Sequence, residues 1–176
     1  MVGVIRLVGQ VSLPVLCLSI CIVCRAADSG ISIVLPGEVD LVVRTAADEL
    51  RAYLSKASGM PVAIAEERAP TKAVDTIYLG NTAFAAAHGI DFKAFADEEW
   101  MCRSIDGALV IGGGGRRGAL YGVYHFLEDE LGVHWFSPSV EVVPVRCDLK
   151  LAGVDRRGRR RGDRPLKALA NWHVLC

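Results

Sequence analysis

The sequence lacks net charge, because 20 lysines and arginines balance 20 aspartates and glutamates among its 176 residues. A nucleic-acid-binding domain carries an excess of positive charge to meet the phosphate backbone. The balance therefore predicts no nucleic-acid partner for the chain as a whole. Asp155–Arg164 departs from it, with six arginines in ten residues and no apolar side chain. That composition predicts a linker or tail, and binding to an anionic surface is the alternative.

The sequence also lacks the usual groupings of metal ligands and catalytic residues. Its four histidines are scattered, and no CxxC pair follows residue 26, so no structural zinc site is predicted. No serine stands in a GxSxG motif. The acidic runs Glu98–Glu99 and Glu128–Glu130 hold neighbouring carboxylates, whereas a glycosidase needs two that face each other, roughly 5 to 10 Å apart. We therefore predict no catalytic residue, no metal and no cofactor for this chain.

An apolar run occupies the N-terminus. Arg6 precedes it, the run covers 7–23, and Cys24 and Ala26 place small residues at positions −3 and −1 of a cleavage site. This layout predicts a secretory signal peptide over 1–26, with an uncleaved membrane anchor as the alternative. We expect an exported protein, whether periplasmic, cell-surface or extracellular.

Few cysteines remain after the signal segment, namely Cys102, Cys147 and Cys176. Three thiols cannot all pair with one another. Cys102 and Cys147 fall on predicted strands, so they form either one disulfide in an oxidising compartment or two buried free thiols.

Strands and helices alternate along the rest of the chain without repeats. The apolar pattern predicts a helix that Thr45 caps and Gly59 stops, and Asp106-Gly107 between two apolar runs predicts a hairpin. The segment 41–43 fits a short strand or a lead-in to the helix. The predicted fold is α/β (an α+β sandwich), one domain over 31–147, with helices packed on a mixed sheet of about five strands. Its predicted strands cover 31–35, 62–65, 76–79, 100–105, 108–111, 133–136 and 140–143.

The stretch Ser104–Pro138 organises this domain, with a strand, a glycine loop and a long helix at 117–131. Gly113, Gly115 and Gly118 match GxGxxG, a spacing that lets a backbone turn approach a pyrophosphate. A nucleotide-binding enzyme is therefore one hypothesis. The loop follows a hairpin strand, however, and the next strand has no acidic residue to hold a ribose. These two features favour the alternative, in which the glycines permit a sharp turn and close packing of the helix on the sheet.

Four side chains at the ends of this stretch are candidate ligand-binding residues. Arg116 and Arg117 stand where the long helix begins and would attract an anion. His134 and Trp135 lie on the strand that follows, and a tryptophan beside a polar residue at a strand end can stack on a sugar ring. A core position is the alternative for Trp135.

The same stretch carries a family resemblance. It resembles the small N-terminal α/β domain of α-glucuronidase-like glycoside hydrolases and is similar to the N-terminal domain of β-hexosaminidases. It is also similar to a domain of uncharacterised exported bacterial proteins. The resemblance covers roughly 31–144 and rests on the segments DELRAYLSKASGMPV, TIYLGNT and GALVIGGGGRRGALYGVYHFLEDELGVHWFSP.

The resemblance implies a non-catalytic accessory domain, since the catalytic carboxylates of those enzymes lie in a following barrel. It further implies an exported glycoside hydrolase that degrades glucuronoxylan or a related polysaccharide, with the barrel as the partner missing from this chain. Residues 148–176 are then a basic linker and the start of the next domain, because Leu166–Leu175 is apolar again. A stand-alone module that binds an oligo- or polysaccharide is the alternative. A membrane is an expected partner only if the signal segment stays uncleaved.

Overall fold

A computed structural model of the protein describes residues 30–68, 75–137, 139–146 and 149–159. The predicted signal segment, Cys147 and Cys176 lie outside the described residues. The strands are β1 (Ser32–Leu35), β2 (Ala63–Glu66), β3 (Thr76–Leu79), β4 (Glu99–Ile105), β5 (Ala108–Gly113), β6 (His134–Ser137), β7 (Val140–Val142) and β8 (Asp155–Arg159). The helices are α1 (Leu41–Ser58), α2 (Ala83–Ala87) and α3 (Gly118–Asp129), with a 3₁₀ turn at Phe92–Ala94.

Six of these strands form one mixed sheet in the order β2-β1-β3-β5-β4-β8. The first four are parallel, whereas β4 runs antiparallel to both β5 and β8. The predicted α/β class with a mixed sheet is confirmed, with six strands in place of about five. The last two strands before β8 do not join this sheet, since β6 and β7 form a two-stranded antiparallel ribbon of their own.

The sixth strand corrects the prediction that the arginine-rich stretch is only a linker. Its first half is β8, where Arg157 pairs with Met101 and Arg156 with Cys102. An edge strand pairs its backbone with a neighbour on one side only. Such a strand can form without alternating apolar residues when its long side chains reach acidic partners. Arg157 does so at Glu99, 2.7 Å away.

The start of α1 also differs from the prediction. Asp40 is its N-cap and accepts a 2.7 Å hydrogen bond from the Val43 amide. Thr45, the predicted cap, lies one turn inside the helix and donates its hydroxyl to the Leu41 carbonyl oxygen. Both residue types cap helices, and the earlier one does so here, so 41–43 is helical rather than a strand. Gly59 ends the helix at a φ of 71° as predicted.

The sheet separates two apolar layers, because its side chains alternate. Ile33, Leu35 and Ile111 point to the layer of α1 and α3. Tyr78, Met101 and Val110 point to the opposite layer, where α2 and the 3₁₀ turn supply Phe84 and Phe92. The predicted hairpin at Asp106-Gly107 is confirmed, and both residues have positive φ. None of the described helices is long and apolar enough to cross a bilayer.

Candidate functional site

The glycine loop between β5 and α3 lies against the protein's own backbone. A Cβ atom placed on Gly113 would overlap the Glu99 carbonyl oxygen and the backbone of Gly118. A Cβ on Gly114 would overlap the carbonyl oxygens of Phe95 and Ala96. The absence of side chains therefore serves close approach of three chain segments, as the packing interpretation of GxGxxG predicted.

Backbone amide groups of the loop also donate within the protein. The Gly114 amide donates to the Glu99 carbonyl oxygen at 2.8 Å, and the Gly118 amide donates to the Gly114 carbonyl oxygen at 3.1 Å. A phosphate cradle presents its amide groups to the ligand. These two groups are turned to protein acceptors, which favours a packing role for the loop.

Arg116 and Arg117 are exposed where α3 begins. Arg117 occupies the N-cap position, and its side chain makes no capping hydrogen bond to the helix. Two cations near a helix N-terminus are placed to attract an anion together with the helix dipole. Anion binding at this end of α3 stays a prediction.

Trp135 lies in the core, which was the alternative to a sugar-stacking position in the sequence analysis. Its side chain is 6% exposed, and its indole N–H donates to the Tyr53 hydroxyl oxygen at 2.8 Å. Its ring meets Tyr53 and Tyr124 edge to face, each with centroids 5.5 Å apart. Its neighbour His134 points the other way and is exposed. The described contacts tie Trp135 to α1 and α3, and none of them links it to the two arginines.

A hydrogen-bonded cluster around Trp135 was not predicted from the sequence. Tyr53 donates its hydroxyl to one carboxylate oxygen of Glu141 at 2.6 Å, and Lys56 donates to the other at 2.5 Å. On the next turn of α1, Glu49 accepts a 3.3 Å hydrogen bond from the Tyr124 hydroxyl. The spacing of residues 49, 53 and 56 on one helix face was the available signal, but nothing in the sequence connects it to Glu141.

The two carboxyl groups of this cluster have opposite pKa shifts. Burial raises the pKa of Glu49, against the lowering effect of the Tyr124 hydroxyl. The hydrogen bonds from Lys56 and then Tyr53 lower the pKa of Glu141. Burial, followed by the hydrogen bond to Glu141, raises the pKa of Tyr53 to about 12. Trp135 is buried whereas Lys56 and Glu141 are exposed, so the cluster runs from the core to the surface and fastens the β6–β7 ribbon onto α1.

Arginines of β8 meet acidic and aromatic groups of the same domain. Arg157 pairs with Glu99 and lies over the Phe95 ring, 4.5 Å from its centroid. Arg156 approaches Glu130 at 3.3 Å. The basic character of this stretch is thus partly used to hold the edge strand in place.

Cys102 is a buried free thiol in this structure. Its Sγ donates to the Gly122 carbonyl oxygen at 3.2 Å, and burial strongly raises the pKa of the thiol, so it is a poor nucleophile. Across the part of the chain that the structure describes, no three His, Cys, Asp or Glu side chains are grouped to hold a metal ion.

Comparison with known proteins gives matches among solved structures. No family model and no curated protein matches the chain. A GH138 enzyme targeting pectin rhamnogalacturonan II is 16% identical, with a TM-score of 0.39 over 56% of this chain and 10% of that one. A GH115 4-O-methyl-α-glucuronidase with specificity for decorated arabinogalactans is 24% identical, with a TM-score of 0.42 over 55% of this chain and 13% of that one.

Both proteins are glycoside hydrolases, and this chain is similar to a small part of each. Both TM-scores lie below 0.5, so the proposals that follow rest on the residues of this chain.

Proposed function

We propose that this chain is a non-catalytic accessory domain of an exported glycoside hydrolase that degrades glucuronoxylan or a related polysaccharide. Its proposed partner is a catalytic barrel domain. This proposal rests on the structure of Ser104–Pro138, the stretch that resembles the α-glucuronidase-like domain. That stretch builds β5, the glycine loop and α3, and it is packed closed instead of framing a cleft.

The carboxylates of the described domain support an accessory role. Glu141 is held by Tyr53 and Lys56, and Glu99 is held by Arg157 and by the Ala96 amide. A retaining or inverting glycosidase needs two carboxyl groups that reach one sugar from opposite sides. Glu141 and Glu99, engaged with the protein's own donors, stabilise the scaffold, which is the role of an accessory domain.

The anion and sugar contacts predicted at Arg116, Arg117 and His134 are part of this proposal. Trp135 is not, because its buried ring leaves no face for a sugar to stack on. Export rests on the predicted signal peptide over 1–26.

The proposal is tested by assaying the purified chain on aryl-glycosides and on glucuronoxylan oligosaccharides. We expect no turnover above that of a mock preparation. Glu49→Gln and Glu141→Gln are matched variants, since they alter the two carboxyl groups with opposite pKa shifts. Turnover that either variant abolishes would show that the chain is itself a hydrolase. Turnover that both variants retain would have to come from elsewhere in the chain or from a contaminant. Repeating the assay with independently tagged protein would distinguish these two sources.

A further inference from the structure

The β6–β7 ribbon holds one aromatic ring out in solvent. Phe136 is 70% exposed, whereas every other phenylalanine, tyrosine and tryptophan among the described residues is buried or half-buried. Its neighbour Trp135 points the opposite way and is hydrogen-bonded to Tyr53, as is Glu141 across the ribbon. The ribbon therefore cannot turn over to bury Phe136 without losing both of these anchors.

A shift in strand register sets the direction of this ring. Across the ribbon, Trp135 pairs with Glu141, and the next pair joins Ser137 to Val140. Phe136 stands between these two pairs and has no residue opposite it in the register of the ribbon. An extra residue of this kind is a β-bulge, which bends its strand and re-aims a side chain. The bulge and the anchors together hold the Phe136 ring outward.

Groups that form hydrogen bonds lie beside the ring. The His134 imidazole is exposed, and its centroid lies 6.4 Å from that of Phe136 at an interplanar angle of 46°. Past the bulge, the hydroxyl oxygens of Ser137 and Ser139 are 3.5 Å apart at the surface. The half-exposed Val142 pairs with His134 across the ribbon. This face is therefore neither purely apolar nor purely polar, and its ligand needs both characters.

We propose that Phe136 stacks on a sugar ring of the polysaccharide while His134 binds one of its hydroxyl groups. This inference rests on the function proposed above and names the residues that hold the polysaccharide. A pyranose ring has an apolar face of C–H groups with hydroxyl groups around its rim, which matches an aromatic ring bordered by hydrogen-bonding side chains. The stacking ring is then Phe136, the exposed neighbour of the Trp135 that the sequence predicted.

An apolar protein surface fits this face less well. It would cover Phe136 but would take the His134 imidazole and the Ser139 hydroxyl out of water without a partner, which costs free energy. Sugar hydroxyl groups supply such partners. The fixed ribbon also holds the ring in place before a ligand arrives, so that little conformational freedom is lost on binding.

Titration of the isotope-labelled chain with xylohexaose and with glucuronoxylan oligosaccharides, followed by nuclear magnetic resonance, tests the proposal. We expect a dissociation constant on the order of 1 mM, because a surface with one stacking ring binds weakly. Phe136→Ala should weaken binding at least about tenfold, whereas Phe136→Trp, which keeps a ring, should retain it. His134→Ala should weaken binding several-fold. Leu41→Ala is the matched control, because Leu41 is 73% exposed at the start of α1, outside the ribbon.

The variants should keep the wild-type fold because Phe136 is exposed, and their amide spectra outside the ribbon check this. A wild-type chain that binds neither sugar overturns this inference alone, since turnover is what tests the accessory role. Binding that Phe136→Ala retains, or that Leu41→Ala loses equally, overturns it as well. Hydrolysis of the titrated oligosaccharides would instead contradict the accessory role, and loss of affinity in Phe136→Ala would still support the stacking site. A wild-type dimer that Phe136→Ala converts to a monomer in sedimentation would make a second copy the occupant and overturn the proposal.

Discussion

At the scale of single residues, the glycines between β5 and α3 decide how closely the helix approaches the sheet. Gly113 and Gly118 touch each other and the Glu99 carbonyl oxygen, so the first turn of α3 lies directly on the end of the sheet. A ligand cradle would leave that space open. The free space beside each glycine therefore distinguishes a packing role of the loop from a phosphate-binding role. Replacing one glycine at a time with alanine tests it.

Gly113→Ala is expected to destabilise the domain by about 1 to 3 kcal/mol, because the new methyl group overlaps backbone on two sides. Gly37→Ala is the control, since a Cβ there meets no atom within 4 Å. Chemical denaturation of both variants measures the two free energies of unfolding. Equal stabilities would mean that the loop has room to spare and would reopen the phosphate-cradle hypothesis.

His125 gives a residue-scale prediction about pH. Its ring stacks on Trp100 with centroids 4.1 Å apart, and burial lowers its pKa while Asp129 and Glu128 oppose the shift. A histidine whose pKa is lower in the folded state binds fewer protons there than in the unfolded chain. The stabilising contribution of His125 is therefore complete above its pKa in the unfolded chain, about 6.5. That contribution is lost as the pH falls through the lower pKa that His125 has in the folded protein.

The histidine effect is isolated by His125→Phe, which keeps a stacked ring that does not titrate. Between pH 7.5 and pH 5 we expect the wild-type chain to lose up to about 1 kcal/mol more stability than the variant, because part of the imidazole still meets solvent. Urea unfolding at both pH values measures the difference. Identical losses would rule out His125 as the titrating group.

At the scale of elements, β8 shows how a strand forms from a sequence with almost no apolar residues. Its backbone completes the outer side of β4, and Gly158 leaves room for the Trp100 ring, which a Cβ there would contact. Arg156 and Arg157 reach Glu130 and Glu99. Backbone pairing and ion pairs with distant acids hold this strand, together with one contact that requires glycine.

Two shortened chains test the contribution of β8. One ends after Arg159 and keeps the strand, and the other ends after Val154 and lacks it. We expect the shorter chain to melt several degrees lower, because β4 loses a row of backbone hydrogen bonds and Trp100 loses its cover. Thermal unfolding followed by circular dichroism compares the two chains directly. Equal melting temperatures would mean that β8 contributes nothing to stability, which would restore the linker interpretation for the whole arginine-rich stretch.

At the scale of the whole molecule, sequence reasoning succeeded where the determinants are local. The hairpin at Asp106-Gly107, the strand Thr76–Leu79 and the apolar helix α3 each follow from neighbouring residues. The start of α1 was misplaced because Asp40 and Thr45 are both able caps and only the chain's path decides between them. The edge strand β8 was missed because its partners lie far away in the sequence.

The candidate site divides in the same way. The packing role of the glycine loop was predictable from its position after a hairpin strand. The cluster that joins Tyr53, Trp135 and Glu141 was not, since Tyr53 and Glu141 are separated by 88 positions and meet only through the fold. The exposed face of the ribbon likewise depends on which side those anchors hold.

The sheet order has a consequence for biosynthesis. Translation delivers β4 long before β8, yet β8 is the strand that closes the outer side of β4. Until Arg159 has left the ribosome, the backbone of β4 has an open flank that other chains can pair with. The domain therefore reaches its full sheet only after synthesis of its last described strand.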